Sequence, residues 1–450
     1  MKTGVLTLLL LAVSAARAQG PLTLSQALRE AARSSLAAEE AGLARKSAEE
    51  ATAQARARYR PELDASAGHV NRDHPVELRS PAMTLGPYPV LGDITVPAAA
   101  IGVAEASSWR AKVGLDYLIY DFGRRSRALE AARAGETAAD AQGRDQVLDQ
   151  QLAVASRYLA LLDLKAQRSV QAQRRRALLD HLRIAQDRLD QGLATRNDLL
   201  RTQVALRRVE DAEADLVSTY ADGVEGLNRA LGRELRAPLQ LPESLAGTPP
   251  MPWDESGARA RALARNQGLR ALAAKVQALD AQAAADRAEH HPLLVAEAAG
   301  AYEQNSFLVH PREYSLTLGL SWKVLDGGAR SARARQAAIE AEQARRELVD
   351  ARRGVEAAAA AAFRAFLQAE REVATAAANV TSSEENWRIV EDQYREGRAR
   401  TADALDAEEV LADSRSQLAS RRYRAFAQQA ALLALLDEDL AAFYADLPER

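Results

Sequence analysis

The sequence predicts a mixed fold of long α-helices and membrane β-strands, in two tandem structural repeats. Each repeat gives one helical hairpin and two strands of a β-barrel shared between chains. Three observations predict this. The chain repeats itself at a fixed spacing, two segments alternate apolar and polar residues between aromatic ends, and two very long runs contain no proline.

The repeat comes first because it sets the architecture. Asp121-Phe122-Gly123-Arg124-Arg125 answers Asp326-Gly327-Gly328-Ala329-Arg330, 205 positions on. Gly192-Leu193-Ala194-Thr195-Arg196-Asn197-Asp198 answers Gly397-Arg398-Ala399-Arg400-Thr401-Ala402-Asp403 at the same spacing, and Leu231-Gly232 answers Leu436-Asp437. More than a hundred residues therefore run through both halves without a net insertion, as two hairpins reaching one depth require. Pro61 answers Pro292 at a spacing of 231, so 26 extra residues lie between Pro61 and Asp121. They fall in roughly 71–108, where Pro75, Pro81, Pro87, Pro89 and Pro97 predict loop rather than helix or central strand.

Strands follow from period two. Trp109, Ala111, Val113, Leu115, Tyr117 and Ile119 share one face, with Arg110, Lys112, Gly114 and Asp116 on the other. The second copy places Tyr314, Leu316, Leu318, Leu320, Trp322 and Val324 together. The aromatics sit at matching ends, Trp109 with Tyr314 and Tyr117 with Trp322, and predict a lipid-facing girdle at each edge of an apolar band. Eight residues span about 26 Å of strand, or roughly 20 Å of height in a tilted barrel. Weaker alternation marks two more strands, so the set is about 61–71, 109–120, 292–304 and 313–325. Four strands are too few to close a barrel around water, for which about eight is the minimum, so the barrel must be shared between chains.

Helices fill the remainder. Gly123 to about Asp190 and Gly328 to Arg400 are free of proline, and some sixty-five residues make ~100 Å of helix. Each run reverses at Gly192 or Gly397. The first return carries a coiled-coil seam through Leu199, Leu206, Val209, Leu216, Tyr220, Val224, Leu227 and Leu231. Arg174-Arg175-Arg176 reads as solvated helix surface. The prolines from Pro238 to Pro252 mark a linker, giving a first repeat over 19–232, a linker over 233–253 and a second repeat over 254–450.

Residues 1–18 read as a signal peptide, with Lys2, an apolar run from Val5 to Val13, and Ala16-Arg17-Ala18 before a cleavage point at Gln19. The chain has no cysteine, so the mature N-terminus is expected to be non-lipidated. A net charge of −3 supplies no basic field for nucleic acid. The six histidines show no metal-ligand spacing, and Asp326-Gly327-Gly328 lacks the lysine of a phosphate loop. No catalytic residues, metal site or cofactor are expected.

The strand-exit turns at Tyr120–Gly123 and Leu325–Gly328, a tip glycine six residues before an aspartate followed by leucines, and the Leu231-Gly232 close occur in order, all but the last close in both halves. In this the mature chain resembles the outer-membrane efflux protein family, the TolC-like ducts. The resemblance implies a homotrimer with a twelve-stranded barrel in outer-membrane lipid and a helical coiled-coil tunnel in the periplasm. It implies a channel in tripartite efflux or type I secretion, served by a periplasmic adaptor and an inner-membrane transporter, and not an enzyme. Asp403 and Asp406, with Asp198 as first-repeat counterpart, match carboxylates of the periplasmic gate, and Tyr394 and Arg395 lie beside them. Gly192, Leu193, Ala194, Thr195, Gly397, Arg398, Ala399 and Arg400 match the adaptor-contacting tips, with Arg398 and Arg400 departing from the family's small or apolar pattern. The alternative is a periplasmic coiled-coil scaffold, which would extract with salt and conduct nothing.

Overall fold

A computed structural model describes residues 21–448. The signal peptide over 1–18 lies outside the described residues. The described chain forms α1 (Leu24–Ser34), α2 (Leu36–Ala57), β1 (Glu62–Asn71), β2 (Val76–Ser80), β3 (Met83–Tyr88), β4 (Gly92–Val96), β5 (Ala99–Ala104), β6 (Ser107–Tyr120), α3 (Arg124–Asp190) and α4 (Arg196–Ala230). It continues through α5 (Glu255–Arg265), α6 (Gln267–Ala288), β7 (Leu293–Glu303), β8 (Arg312–Ser321), α7 (Ala329–Arg395), α8 (Thr401–Leu435) and α9 (Leu440–Phe443). Helices α3 and α7 have 67 residues each, and α4 and α8 have 35 each. The 205-residue spacing thus holds at both ends of both hairpins.

The chain divides into two compact units. Of the described residues, the first comprises 21–45, 139–272 and 347–448. Its main core joins Leu24 and Leu28 of α1 to Tyr158 and Leu162 of α3, Leu227 of α4, Phe426 and Leu433 of α8, and Leu440 of α9. The first returning helix buries Leu206, Val209 and Leu227 of the seam read from the sequence.

The second unit comprises residues 46–138 and 273–346. Its main sheet has the order β1-β6-β7-β8, antiparallel throughout. Among the described residues no strand pairs with either edge, β1 or β8. The expectation of a loop over 71–108 is corrected: β2 pairs with β5 and β3 with β4, so the segment is a β-ribbon. The prolines misled because a two-stranded ribbon contains only edge strands, where a missing N–H breaks no central ladder. Pro75, Pro81, Pro89 and Pro97 all sit between its strands. Among the described residues no helix is long and apolar enough to cross a membrane.

Candidate functional site

The two faces of the main sheet differ sharply. On one, Leu316, Leu318 and Leu320 are 83, 70 and 68% exposed, and Trp109, Val113 and Leu115 accompany them on β6. Such an apolar surface is unfit for water and fit for lipid. The other face is charged. Glu62 lies directly opposite Asp116, which lies directly opposite Glu297, so three carboxylates form a row across β1, β6 and β7. Lys112 approaches Glu297 at 3.8 Å, and Arg110 bonds Glu303 at 2.8 Å on the same face.

Trp109, Tyr117, Tyr314 and Trp322 all share the apolar side and are exposed. In register the two pairs are staggered. Tyr314 is opposite Gly300, which is opposite Val113, four residues from Trp109. Tyr117 is opposite Ala296, which is opposite Leu318, four residues from Trp322. Trp322 itself lies one residue past β8, where its indole N–H donates to the His290 carbonyl at 3.0 Å.

Strand passes to helix through the same device twice. Asp121 Oδ2 accepts from the backbone N–H of Arg125 at 2.8 Å and from its Nε at 3.0 Å. Asp326 Oδ2 does the same for Arg330, at 3.1 and 2.7 Å. Each arginine then donates to carbonyls at or just past the ends of the preceding helix and strand: Arg125 to Arg58 and Ile119, Arg330 to Glu289 and Lys323. These bonds hold the Asp326 carboxyl at a pKa of about 2, the Arg330 side chain contributing most. The intervening turn needs positive φ, supplied by Gly123, Gly327 and Gly328, and also by Phe122, whose ring stacks on His291 at 4.9 Å.

The tips turn at Gly192 (φ 72°) and Gly397 (φ 78°), the left-handed region that glycine tolerates. Thr195 and Asp198 form a capping box on α4: Asp198 Oδ2 accepts from Thr195 N at 3.1 Å and from its hydroxyl at 2.7 Å, which lowers its pKa. Asp403 accepts from Arg400 N at 3.1 Å at the start of α8. Two of the three sequence-predicted gate carboxylates thus also cap helices. Asp403 and Asp406 are exposed, as are Arg398 and Arg400, and Arg398 pairs with Glu396. Gly192, Leu193 and Gly397 are exposed, while Ala194 and Ala399 are half-buried. Tyr394 is wholly buried, with the Arg188 guanidinium 4.5 Å above its ring, and exposed Arg395 bonds Glu391 at 2.9 Å.

A further arrangement went unread in the sequence. Gln167, Arg174, His181 and Arg188 recur every seven residues along α3, and each reaches the second hairpin. Gln167 donates to Ser420 at 3.4 Å, Arg174 to Glu408 at 3.0 Å, and Arg188 to the carbonyls of Tyr394 and Arg395. His181 Nε2 lies 3.1 Å from Glu391 Oε2. The reading of Arg174-Arg175-Arg176 as solvated surface is therefore corrected at Arg174, while Arg175 and Arg176 are exposed. Arg174 is largely covered over buried Glu408, and Arg175 approaches Glu213 at 3.2 Å. Burial pushes the Glu408 carboxyl up, against the opposing pull of Arg174. The signal was available as four polar residues at heptad spacing.

A sheet with one apolar and one charged face, open at both edges and joined to paired helical hairpins of equal length, defines a membrane channel of the barrel-and-tunnel class. The chain belongs to the outer membrane efflux protein family, whose model matches residues 14–233 and 258–438. The fold is shared with VceC of Vibrio cholerae, at 18% identity and a TM-score of 0.75 over 92% of this chain and 96% of that one. It is shared with the Campylobacter jejuni CmeC channel, at 12% identity and 0.76 over 92 and 85%. The open state of the Neisseria gonorrhoeae MtrE channel matches at 17% identity and 0.74 over 93 and 90%. Among curated proteins none matches. By its family, the chain is an outer-membrane channel of efflux or secretion systems.

Proposed function

We propose that three copies close a twelve-stranded barrel in the outer membrane, continued by a helical tunnel in the periplasm. This duct passes substrates handed on by an inner-membrane transporter and a periplasmic adaptor, in tripartite efflux or type I secretion, and performs no chemistry of its own. The carrying observation is the sheet: four strands with two open edges and one exposed apolar face. Four strands cannot enclose water, and open edges are not tolerated in lipid.

The register supports equivalent placing of the repeats around an axis. Residues 205 apart then share one height, and the four-residue stagger across two strand spacings is the barrel's shear. It corresponds to a strand tilt of about 50–55°, steeper than the roughly 35–45° of typical outer-membrane barrels. Trp109 and Tyr314 then make the outer girdle, Tyr117 and Trp322 the inner one, and Glu62, Asp116 and Glu297 face the lumen. The tips Gly192–Thr195 and Gly397–Arg400 meet the adaptor, and Asp403 and Asp406 ring the periplasmic mouth, where they favour cations. Export through the signal peptide leaves a mature chain without a lipid anchor.

Planar-bilayer conductance of detergent-purified protein tests this, for wild type and for Asp403→Ala with Asp406→Ala. Cation-selective conductance altered by the double substitution is expected. Conductance that the substitution leaves unchanged removes the mouth carboxylates from the reading. A protein that salt extracts from membranes, with no barrel, restores the scaffold alternative.

A further inference from the structure

The ribbon between β1 and β6 is amphipathic and uncovered. Leu78 faces Ile101, Met83 faces Val96, and Leu85 faces Ile94, each as a direct cross-strand pair. These six side chains are between 38 and 64% exposed. Among the described residues β3 and β4 pair only with each other. An isolated two-stranded ribbon is marginal in water, so one carrying three exposed apolar pairs needs a surface to pack on.

Its root, by contrast, is fixed. Asn305 donates to the Val103 carbonyl at 2.9 Å, Ser306 N donates to Glu105 Oε1 at 2.9 Å, and Arg72 donates to the Glu105 carbonyl at 3.2 Å. Phe307 lies so close over Gly102 that a Cβ there would stand 2.4 Å from its ring. The anchored root makes the free length a directed arm.

We propose that the ribbons of neighbouring copies pack on one another through these apolar pairs and cover the outer mouth of the barrel. The inference rests on the trimeric duct reading. Two arguments select a second copy as occupant. The ribbon prolongs β1, the edge strand to which the next copy's sheet must be added, so it is continuous with the closing interface. Its reach also suffices: the arms run over 76–88 and 92–104 and extend about 43 Å, whereas twelve strands tilted at about 50–55° close a barrel only roughly 30 Å wide. Three such arms around one mouth meet one another if they lean inward. The second repeat has no counterpart arm, since its hairpin is closed by the short segment between Glu303 and Arg312. The outer barrier therefore has three members rather than six, and restricts entry from outside independently of the periplasmic tips.

The cysteine-free chain allows a clean test. Leu85→Cys is placed on the apolar side and Thr84→Cys on the opposite side, and each purified protein is first shown to be trimeric by light scattering. A short bismaleimide is expected to give cross-linked dimer from L85C several-fold above T84C, in detergent and in outer membranes. Replacing residues 76–104 by a short Gly-Ser turn is expected to raise single-channel conductance. A trimer whose L85C does not cross-link overturns the proposal. If that cysteine is shielded from a hydrophilic maleimide only in membranes, lipid is the occupant. If it reacts freely everywhere, the face awaits an external protein. A protein that is not trimeric overturns the duct reading itself, which separates the two failures.

Discussion

Asp326 grips Arg330 at two points, accepting its backbone N–H and its Nε–H through one carboxylate oxygen, and Asp121 grips Arg125 identically. The pair converts an extended chain into the first turn of a 67-residue helix in both repeats. The carboxylate both caps the helix N-terminus and aims the guanidinium at the strand and helix carbonyls beside it.

The depressed pKa of Asp326, about 2, makes this junction acid-sensitive. A carboxyl whose folded pKa is lowered adds stability above its unfolded value, near 3.9, and loses it as pH falls through the folded value. Hydrogen exchange at the Arg330 amide is therefore expected to accelerate between about pH 4 and pH 2 beyond its intrinsic change. Asp326→Asn should show fast exchange already at neutral pH and no such step.

The seam between hairpins depends on a covered ion pair. Arg174→Met leaves Glu408 buried without its cation, and is expected to cost about 2–3 kcal/mol, reduced from the usual buried-pair value because Arg174 keeps some solvent contact. Adding Glu408→Gln should recover most of that loss, since a neutral pair carries no stranded charge. Denaturant melts of the purified single and double variants, followed by helical circular dichroism, decide it. A double variant no more stable than the single one would show that packing, not charge, sets the loss.

The two repeats close differently, and the difference is measurable. Gly232 has φ 73°, and a Cβ there would lie 2.5 Å from the Ser34 carbonyl oxygen. Asp437, its counterpart, adopts φ 54° and accepts from Gln267 at 2.5 Å, so the second repeat tolerates a side chain where the first cannot. Gly232→Ala is expected to destabilise by more than the ~1–2 kcal/mol of left-handed strain alone. Asp437→Gly should stay near neutral, relief of strain offsetting the lost bond. Similar losses at both positions would contradict this asymmetry.

The helical hairpins were legible because their marks are local and periodic. Glycines end them, proline is absent within them, and a fixed spacing relates Gly192 to Gly397. The sheet was legible on β6 and β8, where alternation is strict, and its stagger was not, because register depends on which strand lies between them. The ribbon was misread because proline argues against a central strand but not against an edge. The stripe from Gln167 to Arg188 was missed because a polar residue at a seam position looks like solvent-facing helix until its partner, Glu408 or Glu391, is placed beside it. The capping role of Asp198 was written in the sequence as Thr195 followed three residues later by an acid, whereas Arg400 before Asp403 is no capping residue.

The row Glu62, Asp116 and Glu297 sets the last prediction. Carboxylates directly opposite one another repel, and among the described residues only Glu297 has a cation within 4 Å, Lys112 at 3.8 Å. Three copies would put nine carboxylates in a band of the lumen about 8 Å tall. Such a belt raises the local cation concentration and repels anions, whatever the state of the tips. Combining Glu62→Gln, Asp116→Asn and Glu297→Gln is therefore expected to shift the reversal potential in a salt gradient toward lower cation preference, while removing cross-strand repulsion leaves the sheet at least as stable. The shift should be large at low ionic strength and shrink toward 1 M salt, where the screening length falls to about 3 Å. A selectivity change that persisted undiminished at high salt would point to altered pore shape rather than charge. No change at any salt concentration would place these residues away from the conducting path, and with them the assignment of the charged face to the lumen.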